Sequence, residues 1–243
     1  MFDPFGDFES AGYLRNVERS KDMDLVKAQE HLFFSAHLEE ALDYLSPDHS
    51  PDITYQTFLD VHRMLFGDFY PWAGSDRLTL GVGMHVGKGN GAVEFERADL
   101  SRQAVEWGLR MSCDMHGKRT GPGDVMGAFA WGHPFLDGNG RAMLLVHTEL
   151  CARAGFAIDW GSSKKDSYLQ ALTDELWNPG QGKLNEYFVP LIRNVDARLN
   201  WRDRLLAVQG LDGSAGTEQN VAYRSDDPEG PARYATMDSA RRR

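Results

Sequence analysis

The chain has 243 residues, 42% of them hydrophobic, and its 26 basic and 36 acidic residues give a formal net charge of −10. This length and hydrophobic fraction suffice for one large packed domain, and the acidic surface repels the phosphate backbone of nucleic acids. We therefore expect no nucleic-acid partner, whereas a local pocket for one nucleotide is compatible with this charge.

The N-terminal residues contain no basic region followed by an apolar run, and no stretch approaches the roughly 18 consecutive apolar residues of a membrane span. The sequence thus predicts neither a secretory signal nor a membrane-spanning segment. The expected compartment is the cytoplasm, with export as an effector by another kind of signal left open.

Helical periodicity marks the first third of the chain. Apolar side chains recur at steps of three and four residues over 20–45 and again over 55–66, which predicts two amphipathic helices. The segment that follows predicts a helix stop, at Tyr70-Pro71-Trp72-Ala73-Gly74.

The period changes to two after this stop. Apolar residues alternate with small or polar ones at Leu78, Leu80 and Val82, and a glycine-rich stretch follows. This pattern predicts a β-hairpin over about 77–95 with a flexible tip. Lys88 lies near that tip, where we expect it to face solvent, a target or a nucleotide.

Helical patterns return after the hairpin, and the last part of the chain is different in composition. Five more helices are predicted, at about 97–113, 123–131, 141–154, 164–177 and 182–208. Beyond residue 210 the chain is rich in Gly, Ser, Asp and Arg, which predicts a disordered tail over 210–243. The predicted fold is therefore mostly α, a single helical domain over 1–209 that carries one β-hairpin.

A polar segment interrupts two of the most apolar predicted helices. It consists of His133-Pro134-Phe135-Leu136-Asp137-Gly138-Asn139-Gly140-Arg141. The glycines let the backbone approach a ligand closely, and the amides that open the next helix form an anion site. Any one of these residues alone would indicate only a glycine-capped joint between helices. Their occurrence together indicates a catalytic site.

Each polar side chain of this segment has a role in transfer of a phosphate-containing group. His133 titrates near neutral pH and can take a proton from a hydroxyl. Asp137 offers the hard oxygen that Mg²⁺ prefers, and the guanidinium of Arg141 suits phosphate. A base, a metal ligand and an anion site together predict a phosphoryl-type transfer.

Residues 133–141 resemble the Fic signature, H-x-F-x-[DE]-G-N-G-R-x-x-R, at every specified position up to Arg141. The Tyr-Pro-Trp-Ala-Gly segment is similar to the one that leads into the Fic flap. The resemblance implies a Fic fold over 1–209, with a flap hairpin at about 77–95 beside the motif loop at 133–141. It also implies a nucleotidyltransferase, most often one that moves AMP from Mg²⁺-bound ATP to a Ser, Thr or Tyr hydroxyl of a protein.

The resemblance assigns roles position by position. His133 is the general base, Asp137 the Mg²⁺ ligand, and Arg141 steadies the leaving pyrophosphate. Phe135 anchors the loop in the core. The anion hole is formed by Gly138, Asn139 and Gly140, with Asn139 in contact with phosphate. The flap clamps a target segment by strand addition, through residues that include Leu78, Leu80, Val82 and Lys88.

One position departs from the signature, because Leu144 stands where the family has its final Arg. In the family that Arg contacts the γ-phosphate and pairs with an inhibitory Glu. Its loss leaves two functional hypotheses open. The first is an active enzyme of the toxin or effector kind, with an unaltered or altered donor. The second is a non-catalytic interaction module. The retained His133 and Asp137 favour the enzyme, because a binding module needs neither a base nor a metal ligand.

Inhibition in this family often depends on a Glu within the pattern [ST]-x-x-x-E-[GN]. Two loose matches make Glu39 and Glu218 candidate inhibitory residues. The remaining option is a separate inhibitor protein, an antitoxin.

Overall fold

The computed structural model describes residues 2–88, 92–117, 119–194, 201–208 and 228–242, and most of them are helical. The helices are α1 (Phe8–Ala11), α2 (Met23–Tyr44), α3 (Tyr55–Phe66), α4 (Arg77–Leu80), α5 (Ala98–Ser112), α6 (Pro122–Gly132), α7 (Asn139–Arg153), α8 (Lys165–Trp177), α9 (Lys183–Phe188), α10 (Trp201–Leu206) and α11 (Gly230–Arg241). Two antiparallel pairs of short strands accompany them, β1 (Gly87–Lys88) with β2 (Val93–Glu94) and β3 (Phe156–Ile158) with β4 (Ile192–Asn194). The prediction of a mostly α fold is confirmed.

Local signals in the sequence explain where the first long helices begin. The Asp22 carboxylate accepts hydrogen bonds from the first free amides of α2, and Thr54 and Thr57 form a capping box at the start of α3. The apolar face of α3 is fully buried and includes Phe58, which packs edge-on against Phe129 of α6. Both predicted helices of this region are confirmed.

Helices α6 and α7 form the centre of the bundle and join at the motif loop. Nearly every residue of α6 is buried, in agreement with its apolar sequence. Helix α5 lies close against it at Gly108, where an added Cβ would stand 2.7 Å from a ring carbon of Phe129. Among the residues that the structure describes, no helix is long and apolar enough to span a bilayer.

The hairpin is shorter than predicted, and the strand expected at Leu78, Leu80 and Val82 is wrong. Residues 77–80 form the short helix α4, capped at its start by Asp76 and ended by Gly81 in the left-handed region. Alternation over so few residues does not distinguish a strand from a capped helical turn, and the caps decide here. The hairpin is limited to β1 and β2, paired through Gly87 with Glu94 and Lys88 with Val93.

The single helix expected over 182–208 is also wrong. Helix α9 stops at Phe188 because Pro190, two residues later, has no N–H to continue the helical bonds. The chain then forms β4, which pairs with β3 from Phe156↔Asn194 to Ile158↔Ile192. The next α-helix in the described part of the chain is α10.

Part of the tail that the composition predicted to be disordered is ordered. Residues 230–241 form α11, which buries Tyr234 and Met237 against the domain. The disorder prediction is therefore wrong for these residues. Residues 209–227, which belong to the same prediction, lie outside the described part of the chain.

Helix α11 packs on the outer side of the hairpin. The Arg233 guanidinium donates a hydrogen bond of 2.6 Å to the Glu94 carboxylate of β2, and the Tyr234 hydroxyl donates to the Glu96 carboxylate. The Tyr234 ring also stacks near Trp131 of α6. The end of the chain thus braces the hairpin against the central helices.

Candidate active site

His133 occupies a strained position between α6 and the motif loop. It ends α6 with φ 42° and ψ 58°, a left-handed conformation that residues other than glycine rarely adopt. Its ring stacks on Phe95 at 3.8 Å between centroids with only 10° between the ring planes. This stacking sets the direction of the imidazole from the side of the hairpin.

The electrostatic surroundings keep His133 uncharged. Burial, followed by the charges of Arg77 and Lys88, lowers the pKa of His133 well below its ordinary value. The imidazole is then neutral at physiological pH, which is the form that accepts a proton from a hydroxyl.

Arg77 holds the backbone around His133, a role that no pattern in the sequence indicated. The side chain is 1% exposed. It donates to the His133 carbonyl at 2.8 Å, to the Gly83 carbonyl at 2.6 Å and to the Glu96 carbonyl at 2.7 Å, with a longer bond to the Gly132 carbonyl. One guanidinium therefore ties the segments that flank the hairpin to the end of α6.

The motif loop is packed so closely that only glycine fits at position 138. Gly138 has φ +77°, and an added Cβ would stand 2.6 Å from a ring carbon of Phe66 and 2.9 Å from Nε2 of His62. Phe135 is fully buried and stacks on His62 at 3.7 Å. Phe135 therefore anchors the loop in the core, as the resemblance implied.

His62 is a second site residue that the sequence did not reveal, because its position on α3 indicated only a buried face. Its Nδ1 accepts from the Gly74 amide at 3.0 Å, which leaves Nε2 protonated to donate to the Asp137 carbonyl at 2.9 Å. These two bonds connect the Tyr-Pro-Trp-Ala-Gly segment to the motif loop. His62 thereby fixes the backbone of Asp137.

Buried neutral histidines should make the protein sensitive to acid. Burial lowers the pKa of His62 to about 3 and that of His147 to about 4, against about 6.5 in an unfolded chain. Below pH 6.5 the unfolded state binds more protons, so the free energy of unfolding falls as the pH falls. At pH 5 we expect a loss of about 2 kcal/mol for each buried imidazole.

Urea unfolding at pH 7 and pH 5 measures this loss. His147→Gln removes one titrating group and keeps a donor for the Pro122 carbonyl, so its unfolding free energy should depend less on pH. His49→Gln, at an exposed position, should behave as the wild type does. Equal wild-type stability at both pH values would contradict the burial of neutral imidazoles.

Four charged side chains meet beside the motif loop. The Lys27 ammonium lies 2.7 Å from Oδ2 of Asp137 and 2.9 Å from the Glu30 carboxylate, and Arg141 forms an ion pair with the same Glu30. Burial alone would raise the pKa of Asp137, but the charges of Lys27 and Arg141 hold it well below its ordinary value. Asp137 is therefore ionised and suited to bind a cation.

Asn139 has a structural role in the loop that the resemblance did not assign. Its carboxamide accepts from the Phe135 amide at 2.9 Å and donates to the Phe135 carbonyl at 2.8 Å. Both polar ends of the side chain therefore close the loop on itself. Contact of Asn139 with phosphate stays a prediction.

A cavity of about 230 Å³ opens between the motif loop, the hairpin and α8. Ligand pockets usually measure about 300–1,000 Å³, so this one suits the base or sugar of a donor rather than a whole nucleotide. Its walls are mainly apolar, and the predicted residues that it brings together are His133, Asn139, Gly140, Leu144 and Lys88.

Other predicted residues lie elsewhere. Leu78 is half exposed on α4, and Leu80 and Val82 pack on the edge of the core, so none of them lines this cavity. Glu39 is exposed on α2, and the carboxylate of that helix that reaches Arg141 is Glu30. Glu218 lies outside the described residues.

The comparisons with known proteins agree with this geometry. Residues 52–151 match the model of the Fic/DOC family. The matched residues include α3, the hairpin and the motif loop.

Two curated relatives are named as adenylyltransferases. The probable protein adenylyltransferase y4lH of Sinorhizobium fredii is 29% identical over 170 residues, which are 65% of this chain and 81% of the relative. The protein adenylyltransferase VbhT of Bartonella schoenbuchensis is 25% identical over 223 residues, which are 86% of this chain and 44% of that protein. The chain thus spans less than half the length of VbhT.

Solved structures share the fold at low identity. BepC of Bartonella tribocorum, a VirB-translocated effector with bound AMPPNP, superposes with a TM-score of 0.55 at 17% identity, over 74% of this chain and 92% of that one. The Fic domain of a Bep effector from Bartonella sp. AR 15-3 gives a TM-score of 0.61 at 12% identity, over 79% and 95% of the two chains. These likenesses establish the Fic fold.

Proposed function

We propose that this Fic-type adenylyltransferase transfers AMP from ATP to a Ser, Thr or Tyr hydroxyl of a target protein. The observation that carries the proposal is the position of a neutral, half-buried His133 on the same cavity as the first turn of α7. This arrangement sets a base beside an anion site and a space for a base or sugar, which AMP transfer requires.

In this mechanism His133 accepts the proton of the target hydroxyl as its oxygen attacks the α-phosphorus. The new bond forms between that oxygen and the α-phosphorus, and the bond from the α-phosphorus to the bridging oxygen breaks, so that pyrophosphate leaves. Arg141 and the free amides at the start of α7 stabilise the negative charge on the phosphates. Arg77 and Phe95 keep the imidazole in place throughout.

Asp137 is the residue that would hold Mg²⁺. Among the described residues no three His, Cys, Asp or Glu side chains form a metal-binding cluster. A single carboxylate nevertheless fits Mg²⁺ in nucleotide sites, where phosphate oxygens and waters complete the ligands. An ion held there would neutralise part of the phosphate charge.

The target segment would approach along the hairpin, where Lys88 lines the edge of the cavity. Bonds to β1 replace the strand addition that was expected at Leu78, Leu80 and Val82. By analogy with the translocated Bep effectors, the protein acts as an effector or toxin, and a separate inhibitor protein would restrain it.

The test is incubation with a panel of labelled nucleotides, Mg²⁺ and cell lysate. Covalent labelling of protein from α-labelled ATP, and its absence from γ-labelled ATP, supports AMP transfer. Labelling from another nucleotide would show an altered donor. No labelling from any donor would favour the second candidate function, a non-catalytic interaction module, which Leu144 motivates.

Leu144 allows a prediction about the donor. This residue lies on the cavity wall and is 5% exposed, so an aliphatic side chain occupies the place of the family's final Arg. We expect the wild type to bind the diphosphate and triphosphate about equally, because a charged contact is worth roughly 1.5–3 kcal/mol and is missing here.

Calorimetry with ADP and ATP analogues checks this expectation in the wild type and in Leu144→Arg. The variant should prefer the triphosphate by about tenfold or more. Leu144→Met, which keeps an apolar side chain of similar size, should bind both nucleotides as the wild type does. A hundredfold triphosphate preference in the wild type would mean that another residue has replaced the Arg.

A further inference from the structure

The ion pairs beside the motif loop form a closed ring with alternating signs. Asp137 contacts Lys27, Lys27 contacts Glu30, and Glu30 contacts Arg141, whose Nη2 lies 4.0 Å from Oδ1 of Asp137. Two positive and two negative side chains give this ring no net charge. The ring joins the second turn of α2 to the motif loop.

Within this ring Lys27 occupies the side of Asp137 on which a cation would bind. Oδ1 of Asp137 already accepts the Gly138 amide at 2.7 Å, and Oδ2 faces the Lys27 ammonium at the same distance. A magnesium–oxygen bond measures about 2.1 Å, so an ion and the ammonium on one oxygen would stand under about 5 Å apart. Two like charges at that separation repel each other strongly.

We infer that Lys27 is the resident counter-cation of Asp137, which a divalent ion must displace and which therefore couples metal binding to nucleotide binding. The inference rests on the proposed function, in which Asp137 holds the metal. Without nucleotide, the ammonium satisfies Asp137 and a free ion binds weakly. With nucleotide bound, the phosphate oxygens accept hydrogen bonds from the Lys27 ammonium instead. The divalent ion then gains access to the Asp137 carboxylate.

The exposure of the four side chains supports the displacement of Lys27 rather than of another member of the ring. The Lys27 side chain is 36% exposed, whereas Asp137 is 15%, Glu30 1% and Arg141 16% exposed. The Arg141 guanidinium also lies over the Phe66 ring at 4.5 Å, which holds it in place. Lys27 is therefore the member of the ring that can leave its partners.

The experiment measures Mn²⁺ binding by electron paramagnetic resonance in the absence of nucleotide. Lys27→Met should bind Mn²⁺ at least tenfold more tightly than the wild type, and the gain should vanish in Lys27→Met/Asp137→Asn. Lys27→Arg keeps the charge and should resemble the wild type. Lys21→Met, which removes a surface lysine paired with the exposed Glu9, is the matched control and should change nothing.

The same titration with AMPPNP separates failure of this inference from failure of the proposed function. Equal Mn²⁺ affinity of the wild type and Lys27→Met without nucleotide would overturn the inference. If Asp137→Asn still weakens Mn²⁺ binding in the presence of AMPPNP, the metal role of Asp137 survives that result. If Asp137→Asn has no effect there, the proposed metal site itself is wrong. Circular dichroism spectra of Lys27→Met and Lys27→Arg show whether each variant is folded. If Lys27→Met is unfolded, the inference requires that Lys27→Arg bind Mn²⁺ as the wild type does.

Discussion

His133→Ala is expected to lower AMP transfer by about 10²–10⁴-fold, the range typical for loss of a general base. The residue is neutral and half-buried on the cavity, and the described structure places no other imidazole on that cavity wall. Nucleotide binding should change little, because the anion site belongs to the start of α7.

The left-handed backbone of His133 requires a matched variant. Asn tolerates this conformation better than most residues and cannot act as the base at neutral pH, so His133→Asn should lose transfer while it keeps the fold. Label transfer and calorimetric binding of AMPPNP are measured for both variants. Transfer within threefold of the wild type in either variant would remove His133 from the base role.

Arg77→Met is expected to lower the free energy of unfolding by about 3 kcal/mol or more. The guanidinium is buried and donates to four backbone carbonyls, and each buried polar group left without a partner costs about 1–3 kcal/mol. Because those carbonyls lie on both sides of the hairpin and at His133, residual transfer should also fall.

Arg193→Met provides the comparison for this variant. Arg193 also donates to backbone carbonyls, those of Pro190 and Ile192, but its side chain is 52% exposed. Water replaces these bonds when the side chain is removed, so its unfolding free energy in urea should change by less than about 1 kcal/mol. A similar small loss in Arg77→Met would show that the buried bonds contribute little.

Long periodic helices were predictable from the sequence, because periodicity and caps act together over many residues. Helix α3 begins and ends where its pattern indicated, and α5, α6, α7 and α8 differ from the predicted bounds by one or two residues. The motif loop was recognised because residues close in sequence supply most of its chemistry. Gly138 and Phe135 have the backbone and packing roles that the pattern favours.

The remaining features depend on contacts between distant parts of the chain. The charge of Lys27 and the imidazole of His62 reach the motif loop from helices that lie about 110 and 75 residues earlier. A helical pattern locates such residues on a face but does not identify the partner. Helix α11 is likewise held by Glu94 and Glu96. The amino-acid composition of residues 230–241 does not reveal these partners.

The brace that α11 gives to the hairpin has a consequence during protein synthesis. Arg233 follows its partner Glu94 by 139 residues. At about 5–20 residues per second, a ribosome makes the hairpin roughly 7–28 s before the helix that supports it. The nascent chain therefore passes through an interval in which the motif loop and the hairpin exist without their outer support. Docking of α11 can therefore support the hairpin only after residues 230–241 have left the ribosome.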